Sequence, residues 1–180
     1  IDALLAAWQP DGAIWYAHAC CSAGCDNRNS YQGLVPAGSS LDQVLEGVAA
    51  LGAQLAPLPQ RLLGAAKPLR AFVGHVEPTF DWTLRQPETG QILSGATIEA
   101  LYSRMHRVRP EPVGMAFNPG YKVVGELFQQ WQQLTGQFAG STPERRDFIR
   151  LMTASAQLAA LDRQSLVILG DPTVALPALQ

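Results

Sequence analysis

Charge is scarce in this 180-residue sequence: 16% of residues are charged, and 13 Lys and Arg against 15 Asp and Glu leave a formal net charge of -2. Without a basic stripe interleaved with aromatics, nucleic acid is not an expected partner. No apolar run approaches the roughly 18 residues that span a bilayer, so no membrane insertion is expected. Cysteine is scarce as well, with three residues all lying between Cys20 and Cys25. A disulfide framework staples distant segments, so this clustering argues against one and slightly favours a cytoplasmic compartment. A cationic leader is missing, and the start at Ile1 reads as the interior of a longer protein. There is no internal repeat and no low-complexity linker. With 47% hydrophobic residues, the length suits one domain over residues 1–180 with one sizeable core.

What is present is an alternation of strand-like and helix-like segments. Leu4, Leu5 and Trp8 have helical spacing, and "QPDG" then supplies turn residues. "AIWYAHAC" and "PLRAFVGHVEP" read as buried strands, and "QSLVILGDP" as a third. Residues 21–39 are rich in Ser, Gly, Asn, Asp and Pro and read as one long loop, a kind of segment that often carries function. A helix is expected over about 40–52, capped by Ser39 or Ser40, with Leu41, Val44, Leu45, Val48 and Leu51 on its apolar face. Further helices are expected in "TIEALYSRMHR", in "YKVVGELFQQWQQLTG" and from Pro143 onward. The pattern predicts an α/β domain with a mostly parallel sheet flanked by helices. Ligands bind such sheets beyond the carboxyl ends of the strands. Cys20, the His75–Glu77 segment and Gly170-Asp171 are all expected at that edge.

"WYAHACCSAGCD" admits four readings. As a metal site it would offer His18, Cys20, Cys21 and Cys25, but an extended strand points Cys20 and Cys21 to opposite faces, so one centre cannot easily collect all four. A redox pair wants two Cys separated by two residues, and the spacings here are zero and three. Small buried hydrophobes suit Cys21 and Cys25. A nucleophile suits Cys20, since Ser22, Ala23 and Gly24 let the chain turn and leave room for a carbonyl.

These residues carry a resemblance. "ACCSAG" is similar to the Ala-Cys-x-Ser-Gly strand end of the caspase-like cysteine peptidases, a group that includes legumains, gingipains, caspases and bacterial CHAT domains. "GAAKPLRAFVGHVEPTFDW" resembles the CHAT stretch in which a Gly-Ala turn leads into a strand. "LVILGDPTVALP" looks like the terminal strand and Gly-Asp-Pro-Ser/Thr signature of CHAT and gingipain-type domains. The three matches fall in family order over residues 13–177.

The resemblance implies a caspase-like three-layer sandwich, incomplete at its N-terminus, and a peptide or protein substrate. It implies thiolate attack by Cys20, with no metal or other cofactor. Ser22-Ala23-Gly24 departs from the family's Ser-Gly, and the family histidine would precede Ile1, because only 19 residues stand before Cys20. The N-terminal part of the parent chain is therefore a candidate partner, and His75, ending the next strand, is the resident candidate for the base. His18 lies about 6.5 Å along the strand from Cys20 and reads better as a structural residue. Ser22, Asp26, Glu77 and Asp81 are candidate substrate-binding residues, and the three acidic ones would select a basic side chain. Asp171 reads as a turn residue. The alternative is a catalytically inactive caspase-like interaction or scaffold module.

Overall fold

The computed structural model describes residues 1–80, 84–85 and 90–179. It is a mixed α/β arrangement in which a small sheet has helices around it. In chain order the elements are α1 (Asp2–Ala7), β1 (Ile14–Tyr16), β2 (Gly24–Cys25), α2 (Ser40–Ala49), β3 (Gln54–Leu55), α3 (Pro57–Leu63) and β4 (Ala71–His75). There follow α4 (Gly95–Ile98), running into a π-helical stretch over Glu99–Met105, then α5 (Val113–Ala139), α6 (Pro143–Gln164) and β5 (Leu166–Gly170).

Among the described residues the sheet has three strands in the order β1-β4-β5. β1 runs parallel to β4, pairing Ile14 with Ala71 and Tyr16 with Val73. β5 runs antiparallel to β4, pairing Leu166 with His75 and Gly170 with Ala71. The expectation of a mostly parallel sheet is thus corrected: one of its two pairings is antiparallel. An apolar run of five residues shows that a strand is buried, but it does not show which way the strand runs. α5 and α6, of 27 and 22 residues, form a helical hairpin that delivers the chain to β5. The reversal carries Gly170-Asp171 to the far end of the sheet from His75 and puts Ser165 beside His75 instead.

Strand alternation divides the core in two. Ala71 and Val73 of β4 face Met105, Val113, Ala116 and Phe117, with Ile14, Tyr16, Leu166 and Ile168 alongside. Phe72 faces the other way, onto Leu62, Leu69 and Ala23, with Trp15, Val167 and Leu169 around them. All five β4 residues are buried, as befits a central strand.

Local signals hold at several ends. The Ser39 hydroxyl accepts the Asp42 N–H and caps α2, and Pro143 opens α6. Other expectations need revision. The strand expected over "AIWYAHAC" stops at Tyr16, and α5 begins well before Tyr121, running through Pro119. On the apolar face of α2 Leu45 is buried and Leu41 and Val48 are half-buried, while Val44 is 58% exposed; Leu51, 65% exposed, lies past the end of the helix. α3, with Pro57 at its start, and the short β2–β3 pair were not anticipated. Among the described residues no helix is long and apolar enough to cross a membrane.

Candidate active site at the Cys20 turn

Beyond Tyr16, β1 does not simply continue beside β4. Ala17 N–H still donates to Val73 O at 2.8 Å. The next rung of the ladder is replaced by a side chain: Ser22 Oγ accepts the His75 N–H at 2.9 Å and donates to Ala17 O at 3.1 Å. A hydroxyl set into a parallel ladder spreads the two strand ends. Gly74 leaves room for it, because a Cβ there would stand 2.8 Å from Ser22 Oγ. Ser22 was expected to touch substrate, but its proton and acceptor position are both engaged inside the fold.

The spread chain folds back as a turn closed by Ser22 N–H on Ala19 O at 3.2 Å, with Cys20 and Cys21 at its corners. Cys21 has a φ of +52, in the left-handed region that residues with a Cβ rarely occupy and that recurs at functional sites. Its N–H donates to Glu77 O at 3.0 Å. Cys20 is exposed, Cys21 half-buried and Cys25 buried. Burial, with the neighbouring Cys25 and Cys20 and with Glu77, pushes the Cys21 thiol up to about 11. Cys25 Sγ donates to Gly52 O at 3.4 Å and packs the β2–β3 pair.

The segment after β4 forms the floor of the turn. Cys20 Sγ donates to Thr79 O at 3.2 Å, and the buried Tyr31 hydroxyl donates to Pro78 O at 3.3 Å. Asp162 Oδ1, fully buried near the end of α6, accepts Thr79 Oγ1 at 2.9 Å and the Phe80 N–H at 2.7 Å. Glu77 Oε1 accepts the Asp26 N–H at 3.0 Å, and burial raises its carboxyl above the usual range. Asp26 in turn caps Asn27 N–H at 2.7 Å. Asp26, Glu77, Tyr31 and Gln164 border a common cleft, so two of the expected substrate-binding residues do lie together. Asp81 lies outside the described residues.

His75 ends β4 as expected, but its ring does not reach Cys20. It is 1% exposed, with Nδ1 2.8 Å from Ser165 Oγ and Nε2 3.1 Å from His18 Nδ1. Ser165 Oγ lies 2.6 Å from the Asp162 main-chain carbonyl, and two oxygens that close require a proton between them, which only the serine can supply. His75 Nδ1–H therefore donates to Ser165, and His18 Nδ1–H donates to His75 Nε2. Burial, with His18 beside it, pushes His75 down to about 4, and burial also lowers His18. A buried, doubly bonded imidazole cannot deprotonate an exposed thiol without breaking this chain. Ser165 and Asp162 escaped sequence reasoning because they sit at a helix end whose place depends on the antiparallel β5.

Among the described residues no group of three or more His, Cys, Asp and Glu gathers into a metal site. No family model matches the chain, and no curated protein and no solved structure is detectably similar to it.

Proposed function

We propose that this chain bears the nucleophile of a caspase-like cysteine peptidase domain, with Cys20 as the attacking group. The observation that carries the reading is the exposed Cys20 at the corner of a tight turn whose next residue, Cys21, is held at φ +52. That strain is maintained by the Ser22 rung and the Glu77 carbonyl, and it presents one thiol outward while the other two face inward.

In this mechanism Cys20 loses its proton to a histidine, and the thiolate attacks a peptide carbonyl. The N–H groups of the turn hold the oxyanion. The amine leaves with a proton from the imidazolium, and water hydrolyses the thioester. The base is a histidine carried by a strand laid along the free edge of β1. Among the described residues β1 is an edge strand of the sheet, with β4 on one side, and its three residues are only half-buried. His75 is the reserve candidate, and its use would require the His18 bond to open. Asp26, exposed at the cleft it shares with Glu77, selects a basic substrate side chain.

One observation favours the inactive scaffold reading: neither nitrogen of His75 hydrogen-bonds to Cys20. Iodoacetamide labelling of Cys20 at pH 6.5 in the protein at its native length separates the two. An activated nucleophile reacts at least about tenfold faster than the same cysteine in urea, following its thiolate fraction. Equal rates would sink the peptidase reading and leave the scaffold.

A further inference from the structure

Cys20 and Cys21 are consecutive residues at the corners of one turn, and both are free thiols. An extended strand would hold their side chains on opposite faces. The turn closed by Ser22 N–H on Ala19 O, with Cys21 at φ +52, removes that alternation. The two thiols differ in their surroundings. Cys20 is exposed, with its Sγ 3.2 Å from Thr79 O. Cys21 is half-buried, and Cys25 and Cys20 lie close enough for their charge to oppose the ionisation of its thiol. Cys25 is buried, with its Sγ on Gly52 O beneath the β2–β3 pair.

We propose that this turn is a reversible oxidation site, at which a peroxide oxidises Cys20 and Cys21 closes a disulfide onto it. The peptidase reading gives Cys21 no part, and the inference stands whether or not Cys20 attacks peptides.

The reaction takes two steps. The Cys20 thiolate attacks one oxygen of hydrogen peroxide and the O–O bond breaks. The sulfur becomes a sulfenic acid, and the departing hydroxide takes up the proton that Cys20 had released. The Cys21 thiolate then attacks the Cys20 sulfur. The S–S bond forms, the S–O bond breaks, and hydroxide leaves as water with the proton that Cys21 had given up. The two thiols lose two electrons, and the peroxide accepts them to become two waters.

Two features select Cys21 rather than Cys25 as the partner. No chain separates it from Cys20, whereas Cys25 would have to leave Gly52 O and the pairing of β2 with β3. Consecutive Cα atoms stand about 3.8 Å apart, closer than the roughly 4.4–6.8 Å of ordinary disulfides. The bond is therefore strained and easily reduced, as labile regulatory disulfides are. Against this, the Cys21 thiol is pushed up to about 11, by burial first and then by Cys25, Cys20 and Glu77 facing it. It is thiolate in about one molecule in 3000 at pH 7.5. Adjacency outweighs that fraction, because well-oriented intramolecular partners reach effective concentrations on the order of 10⁵ M. While the ring stands, Cys20 has no thiolate to offer; a dithiol restores it.

The probe is hydrogen peroxide, added to the reduced protein at its native length and followed by mass spectrometry. The peptide carrying all three cysteines should lose two hydrogens, with no sulfenic acid trapped by dimedone at pH 7.5. Iodoacetamide added after denaturation should then label Cys25 alone, and dithiothreitol should return all three thiols. Cys21→Ser and Cys21→Ala should each let dimedone capture the Cys20 sulfenic acid, and excess peroxide should carry it on to the sulfinic acid. Cys25→Ala should still close the ring. The proposal is overturned if the sulfenic acid accumulates in the unaltered protein as it does in Cys21→Ser. It is equally overturned if the thiol left for iodoacetamide is Cys21, or if peroxide yields only bonds between two chains. The iodoacetamide rate of Cys20 in the reduced protein tests the peptidase reading by itself, so the two fail separately.

Discussion

The Ser22 hydroxyl accepts the His75 backbone N–H at 2.9 Å and passes its own proton to Ala17 O at 3.1 Å, so a side chain stands where the β1–β4 ladder would have closed on itself. The same rung spreads the strand ends, starts the turn at Cys20 and leaves the β4 end open to the chain that follows. Fold and candidate chemistry thus depend on one small polar group.

Ser22→Ala removes both partners' bonds at once. It should destabilise the protein by about 1–3 kcal/mol, the cost of leaving a partly buried donor and acceptor unpaired. Urea unfolding reads this as a lower midpoint with an unchanged slope. A loss below about 0.5 kcal/mol would mean that His75 N–H bonds Ala17 O directly in the variant, and Cys21 would then leave its positive φ.

The elements with strong local signals were legible in the sequence, and the site's supporting residues were not. β4 and β5 announced themselves as apolar runs, and Ser39 and Pro143 marked helix starts by their own chemistry. The direction of β5 is a property of the α5–α6 hairpin, set by contacts between residues far apart in sequence. Cys20 could be picked out because small residues follow it. Ser165 and Asp162 could not, because a serine and an aspartate at a helix end look the same whether they meet solvent or a buried imidazole. In hindsight the signal was Asp162 next to the apolar run Leu158–Leu161, a carboxylate on a face that packs inward. α2 misled in part for the opposite reason: Val44 has the right period but stays exposed, and Leu51 falls past the helix end.

His75 ties stability to pH. Its folded value, about 4, lies below the ordinary 6.5, so between those limits the unfolded chain binds a proton that the folded protein refuses. Stability from this group is full above pH 6.5 and is lost as pH falls toward 4, a total of about 3 kcal/mol at 1.36 kcal/mol per pH unit. Glu77 works in the opposite sense, since its raised carboxyl favours the folded state at the acid end of the window. His75→Asn keeps a donor for Ser165 and removes the titration. Denaturation midpoints measured from pH 7 to pH 4 should fall less steeply for the variant. Parallel curves would show that His75 does not carry the dependence.

The three thiols should react in a fixed order, and that order tests the geometry of the turn more directly than any loss of activity. Cys20 is exposed, whereas Cys25 is buried with its Sγ on Gly52 O. Cys21 is half-buried, and its thiol is pushed from 9.0 up to about 11, chiefly by burial. Two pH units correspond to about a hundredfold less thiolate at neutral pH, and alkylation follows the thiolate. Mass spectrometry of peptides from a brief iodoacetamide pulse at pH 7.5 should find Cys20 modified first. Cys21 should lag an ordinary thiol by about a hundredfold, with Cys25 modified only as the protein unfolds. Ser22→Ala should shorten the lag of Cys21, because relaxing the turn brings that side chain into water. Early labelling of Cys21 in the unaltered protein would mean that the turn is not strained as described and does not single out Cys20.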